Sequence, residues 1–143
     1  APLTLGESAR SSFNALFVHA GGRTSRGRFL GALIPLALAV LWYAIKGPAV
    51  DYAPWGVLVL VYPAVVLYVR RLHDLGHTGW WMLVPTVLSV LAMLIWAHRI
   101  SLGAQLDAAV PLAALIVFAG LALWGCLAKG QAEANTFGSP VVA

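Results

Sequence analysis

The chain has 143 residues, of which 61% are hydrophobic and only 10% are charged. About a quarter of the residues in a soluble globular domain are charged, so this composition excludes an ordinary soluble domain and indicates a single membrane domain, residues 1–143. The net charge of +4 does not indicate a nucleic-acid-binding protein, because the basic residues flank apolar segments and form no separate basic domain.

Residues 1–28 are expected to form a cytoplasmic tail with a short helix on the membrane surface. The apolar residues whose spacing places them on one helical face are Phe13, Leu16, Phe17 and Ala20. Ser11 or Ser12 is available as the N-cap, and a disordered tail is the alternative. No basic segment followed by an apolar stretch and a cleavage site opens the sequence, so we expect the first apolar segment to be retained.

Four apolar segments are predicted to cross the bilayer, at residues 29–45, 55–69, 80–96 and 108–128. None contains Asp, Glu, Lys, Arg or His, and backbone groups in lipid must pair internally, so segments of this length form helices. The sequence therefore predicts an all-α fold, an integral membrane four-helix bundle followed by a tail at 129–143.

Prolines are expected to interrupt the hydrogen-bond ladder of three spans, at Pro35, Pro63 and Pro85. Pro111 is expected in an early turn of the fourth helix, where a missing backbone N–H costs little.

The distribution of Lys and Arg predicts that both termini are cytoplasmic. Seven of these residues lie in the N-terminal segment, the second connection and the C-terminal tail, whereas two lie in the first and third connections. Basic residues in short loops mark the cytoplasmic side. The aromatic residues expected to mark that interface are Phe29, Tyr68, Trp80, Trp81 and Trp124.

Residues 70–81, which read Arg-Arg-Leu-His-Asp-Leu-Gly-His-Thr-Gly-Trp-Trp, are the most informative polar segment. If the second helix continues past residue 69, Arg70 and Arg71 lie four and three residues before Asp74, a spacing that permits an ion pair. In a purely structural interpretation the arginines stabilise the helix C-terminus. In a functional interpretation they hold a phosphate, and His73 beside Asp74 binds a cation or transfers a proton.

Metal binding at this segment receives little support from the sequence. His73 and His77 have a permissible spacing on a helix, but Gly76 interrupts such a helix and no further Cys or Glu cluster completes a ligand set. We therefore predict no metal and no cofactor.

Three motifs are separated by apolar spans. They are Gly22-Arg23-Thr24-Ser25-Arg26 followed by Phe29, the 70–81 segment, and Lys129-Gly130 with Asn135-Thr136-Phe137-Gly138-Ser139-Pro140. In this order, over about residues 13–140, they make the chain resemble the DUF805 family of small bacterial inner-membrane proteins. The resemblance implies several membrane helices, a location in the bacterial inner (plasma) membrane, and no established activity. Where that family usually has an aromatic pair after the second arginine, this chain has Arg28-Phe29-Leu30.

The favoured hypothesis is one polar site at the cytoplasmic face that binds an anionic lipid headgroup or an acidic segment of a partner. The predicted lipid- or anion-binding residues are Arg23, Arg26, Arg70 and Arg71. The residues expected to support them are Asp74, Trp80, Asn135 and Phe137. The expected partners are the lipid bilayer, with anionic phospholipid, and a second copy or another membrane protein, with no nucleic acid.

An alternative is an interfacial enzyme that acts on a phospholipid or a polyprenyl phosphate. Arg70 and Arg71 would hold the phosphate, and His73 would be the weak candidate for a catalytic acid or base. A transporter or channel is less favoured, because the spans lack ionisable groups. An enzyme is the less favoured class, and the residues identify neither a ligand nor a physiological process.

Overall fold

The computed structural model describes residues 5–46 and 53–141, and within them all regular structure is helical apart from an isolated β-bridge between Asn135 and Gly138. The five α-helices, in chain order, are α1 (Leu5–Phe17), α2 (Arg26–Lys46), α3 (Ala53–Asp74), α4 (Leu83–Trp96) and α5 (Ala104–Leu127). A short 3-10 helix, Gly79–Met82, leads directly into α4. The predicted all-α class is therefore confirmed for the described residues.

The N-terminal helix differs in its bounds from the predicted one. Because α1 begins at Leu5, Ser11 and Ser12 lie inside it and neither is its N-cap. Ala20 follows its end at Phe17. The helix packs against α3, and its position on a membrane surface stays a prediction.

Three helical segments are long and apolar enough to cross a membrane: Arg26–Tyr43 in α2, Gly79–Trp96 through the 3-10 helix and α4, and Ala104–Leu127 in α5. They correspond to three of the four predicted spans. The remaining predicted span, 55–69, lies within α3, which is not among them. The count of four spans therefore stays a prediction.

Most of the apolar surface of these segments faces outward. Only 11% of the residues in the segments from α2 and α5, and 22% in the segment Gly79–Trp96, are buried within the protein. Soluble monomers rarely expose apolar patches of this extent. Such a surface requires hydrocarbon or partner helices around it.

The helices pack closely near one end of the molecule. Helix α2 contacts α3 and α5, and α4 contacts the same two helices. The Phe29 and Tyr68 rings stack edge to face at 5.3 Å, as do the rings of Tyr68 and Phe118. Gly125 leaves room for this core, since a Cβ there would lie 2.9 Å from Phe29 Cε1. Phe29 and Tyr68, expected at the lipid interface, are therefore core residues, and the Tyr68 hydroxyl donates to the Phe118 carbonyl at 3.2 Å.

Pro85 and Pro111 each occupy the kind of helix position that was predicted for the other. The 3-10 helix delays the start of α4 to Leu83, so Pro85 is its third residue and removes no intrahelical bond. Helix α5 begins at Ala104, four residues earlier than its predicted span, so Pro111 lies beyond its first turn.

Candidate functional site

The C-terminus of α3 places four polar side chains beside the start of α2 and the end of α5. These are Arg70, Arg71, His73 and Asp74. The helix ends in a Schellman motif, in which the His77 amide donates to the Leu72 carbonyl at 2.8 Å and the Gly76 amide to the His73 carbonyl at 3.1 Å. Gly76 has φ +82°, which an L-residue adopts only with strain. The turn redirects the chain into the 3-10 helix.

Asp74 lies at the centre of a buried ion triad. Its Oδ1 accepts from Nε of Arg23 at 3.0 Å and pairs with Nη2 at 2.9 Å, while its Oδ2 accepts from Arg71 Nη1. The three side chains are at most 5% exposed. We name Arg23, Arg71 and Asp74 the clasp. The predicted pairing of Asp74 with Arg71 is present, but its second arginine is Arg23, 51 residues away, and not Arg70.

The other donors of the clasp arginines bond to backbone carbonyls. Arg23 donates to the carbonyls of Glu133 at 2.8 Å, Gly138 at 3.4 Å and Gln131. Arg71 donates to the carbonyls of Gly125 at 2.8 Å, Thr24 at 3.2 Å and Ala128 at 2.6 Å. The clasp therefore joins the segment before α2, the end of α3 and the C-terminal tail.

Arg70 holds the loop between α1 and α2. Its Nε donates to Thr24 Oγ1 at 3.1 Å, and its Nη groups donate to the carbonyls of His19 and Arg23, each at 3.1 Å, and of Gly21. In return the Thr24 amide donates to the Arg70 carbonyl at 3.2 Å. The loop is thus wrapped around one guanidinium group.

The tail folds back onto His73. The Phe137 ring stacks on the imidazole, with ring centroids 4.0 Å apart and an angle of 2° between the ring planes. Asn135 Nδ2 donates to the His73 carbonyl at 2.9 Å, and the Phe137 amide donates to Asn135 Oδ1 at 2.9 Å. Both tail residues named from the sequence therefore contact the end of α3.

The His73 imidazole is oriented by a backbone carbonyl and not by Asp74. Its Nδ1 lies 3.0 Å from the Gly22 carbonyl oxygen, which only an N–H can bond. Burial lowers the pKa of His73; the Gly22 bond opposes this shift and the charge of Arg70 adds to it. The ring is therefore neutral near pH 7, with its lone pair on Nε2. The His-Asp pair considered for proton transfer does not form, because both Asp74 oxygens face arginines.

Two residues of the predicted site lie apart from the clasp. The Arg26 side chain is exposed and makes no hydrogen bond or ion pair within the described residues. Trp80 is 78% exposed on the 3-10 helix. His77 also faces elsewhere, since its ring packs against Trp81 at 4.7 Å and Trp124 at 5.3 Å. Among residues 5–46 and 53–141, no group of three or more His, Cys, Asp or Glu side chains is placed to hold a metal.

The close contacts of two glycines, Gly125 and Gly130, with the clasp were not predicted from the sequence. A Cβ on Gly130 would collide with Asp74 Oδ2, and one on Gly125 would lie 3.3 Å from Arg71 Cγ. Gly130 belongs to the Lys129-Gly130 motif, which was the available signal for its role. The backbone carbonyls that bond to the arginines have no side-chain signature.

The fold and the site define an all-helical protein with helices that could span a membrane and a buried arginine-aspartate clasp at one end. The chain belongs to the DUF805 family, described as a protein of unknown function, whose profile matches residues 17–139. Comparisons with curated proteins and with solved structures give no match.

Proposed function

We propose that this chain is a multi-pass protein of the bacterial inner membrane that binds an anionic lipid headgroup at its arginine end. The arginine end comprises residues 19–28, 70–79 and 125–138, which contain six Lys and Arg side chains and two carboxylates. The proposed arrangement is a four-helix bundle with both termini in the cytoplasm. It rests on the excess of Lys and Arg at this end.

The observation that carries the proposal is the state of Arg26 and Arg28. Both side chains are exposed in the first turn of α2, where a candidate span begins, and neither guanidinium group forms a hydrogen bond or ion pair in the part of the chain described. Burial lowers the pKa of Arg70, and repulsion by Arg28 lowers it further. An anion at this surface relieves that repulsion, and a lipid phosphate is the anion that a bilayer supplies at this depth.

The roles of the arginines therefore differ. Arg23, Arg70 and Arg71 contribute positive charge, but their donors are engaged by protein acceptors. Arg26 and Arg28 contribute free donors to the phosphate. The clasp holds the surface on which they lie, because it fixes the segment directly before α2.

Native mass spectrometry of the protein purified from membranes, with phosphatidylglycerol added, tests this assignment. We expect the parent protein to retain the lipid stoichiometrically and the double variant R26Q/R28Q to lose it. The matched control is R99Q, which removes an exposed arginine in the loop between α4 and α5, at the opposite end. Equal retention by the parent and R26Q/R28Q would contradict the proposal.

A further inference from the structure

A groove of about 580 Å³ lies between α3 and the start of the candidate span Gly79–Trp96. Val65, Val69 and His73 line one wall, and Leu83 and Thr86 lie on the opposite one. Residues four apart share a helical face, so the α3 wall is a stripe that is apolar along its length and ends in the imidazole at the arginine end.

The imidazole presents one acceptor to this groove. Because Nδ1 donates to the Gly22 carbonyl, the lone pair of the neutral ring is on Nε2. This atom lies on the side of Gly79, another lining residue, whose Cβ, if present, would be 3.6 Å from it. Stacking on Phe137 fixes the plane of the ring. Nε2 makes no hydrogen bond within residues 5–46 and 53–141.

The position of the groove indicates what fills it. Its second wall belongs to a segment apolar enough to cross a membrane, and Leu83 and Trp80 on that segment are 55% and 78% exposed. In a bilayer the surrounding medium there is acyl chain. At the polar end, the positive field of Arg70 disfavours a cationic donor at Nε2 and favours a neutral hydroxyl on a negatively charged lipid.

We propose that the groove binds an acyl chain of a phosphatidylglycerol-type lipid, an anionic phospholipid whose headgroup hydroxyl donates to His73 Nε2. This inference rests on the proposed function and specifies the class of lipid. The groove contacts the acyl chain, His73 Nε2 accepts the hydrogen bond of the headgroup hydroxyl, and the cationic surface attracts the phosphate.

Three lipids separate the contributions in native mass spectrometry. Phosphatidylglycerol is anionic and has hydroxyl donors, phosphatidylmethanol is anionic and has none, and phosphatidylcholine is zwitterionic and has none. We expect phosphatidylglycerol to be retained about three- to tenfold more than phosphatidylmethanol, the range for one neutral hydrogen bond. Equal retention of the two anionic lipids, with both above phosphatidylcholine, would overturn the inference and leave the proposed function intact. Equal retention of all three would overturn both.

Variants locate the two contacts. H73F keeps an aromatic ring beside Phe137 but removes the acceptor, so phosphatidylglycerol and phosphatidylmethanol should then be retained equally. Because the readout is a ratio within one variant, retained phosphatidylmethanol also reports that H73F is folded. H98F, which changes an exposed histidine in the loop after α4, should keep the parent ratio. If H73F retained phosphatidylglycerol over phosphatidylmethanol by the same ratio as the parent protein, the role of Nε2 would be overturned.

A larger side chain tests the occupancy of the groove. T86F should lower retention of both anionic lipids, since its ring occupies the space of the acyl chain. S89F is the matched control: both hydroxyls donate to a backbone carbonyl four residues earlier, but Ser89 is not a lining residue. Retention by T86F equal to that of S89F would overturn the acyl-chain assignment.

Discussion

Replacing Asp74 by asparagine is expected to lower the free energy of unfolding by about 3–5 kcal/mol. The change keeps the shape of the side chain but removes the counter-charge of Arg23 and Arg71, whose side chains are 1% and 2% exposed. Breaking a buried ion pair costs this much because it leaves an uncompensated charge away from water. Here two guanidinium groups lose the same partner.

Replacing the whole clasp by apolar residues is expected to remain destabilising, although some buried ion pairs tolerate that exchange. Arg23 and Arg71 together donate to six backbone carbonyls as well as to Asp74. An unsatisfied buried acceptor costs about 1–3 kcal/mol. The bonds from Arg71 to the carbonyls of Thr24 and Gly125 are buried, and we expect the loss of these donors to outweigh the benefit of removing three charges.

The assay is equilibrium unfolding in mixed micelles by titration with sodium dodecyl sulfate. Unfolding is monitored by the thiol labelling of Cys126, the single cysteine, which is half-buried in α5. E133Q, which changes an exposed carboxylate, is the control and should stay within about 0.5 kcal/mol of the parent. In a double-mutant cycle, R23Q and D74N together should cost less than the sum of the single changes. A cost below about 1 kcal/mol for D74N, or strict additivity with R23Q, would refute the clasp.

Two further predictions use the same titration. Gly130→Ala should lower the free energy of unfolding by several kcal/mol, because the added Cβ collides with Asp74 Oδ2. The control Gly120→Ala meets nothing within 4 Å and should stabilise α5 by about 0.5–1 kcal/mol. Similar effects of the two changes would contradict the close approach of Gly130 to Asp74. Stability should fall as the pH drops below about 6.5, since the lowered pKa of His73 lets the unfolded chain bind a proton first. H73F should reduce the dependence of the free energy of unfolding on pH. An unchanged dependence would show that another titrating group causes it.

The helical segments could be predicted from the sequence because their signal is local. Uninterrupted apolar runs and the absence of charge indicate helices in lipid, and Gly76 indicates where α3 ends. The direction in which a side chain faces carries no such signal. Phe29 and Tyr68 lie near helix ends, as interface aromatics do, but they face the core because Gly125 and Phe118 lie opposite.

The partners in the site were only partly predictable for a related reason. Helical spacing brings both Arg70 and Arg71 within reach of Asp74 and cannot distinguish them. The choice depends on the tertiary position of the loop around Thr24, which takes Arg70 and leaves the second carboxylate oxygen to Arg23. Pairings across 51 and 110 residues are set by the packing of three separate chain segments.

The clasp gains importance from the weak packing elsewhere. Helices in lipid have no hydrophobic force that drives them together, so their arrangement depends on close contacts and interhelical polar bonds. Only 11% of the residues in the candidate spans of α2 and α5 are buried. Arg71, which spans from Asp74 on α3 to Gly125 on α5, and Arg23, which joins the segment before α2, supply directional bonds that a slipped arrangement would break. The same bonds hold Arg26 and Arg28 at the edge of the candidate span, so we expect the clasp to act on the proposed lipid binding through the position of these two residues and not through contact with the lipid.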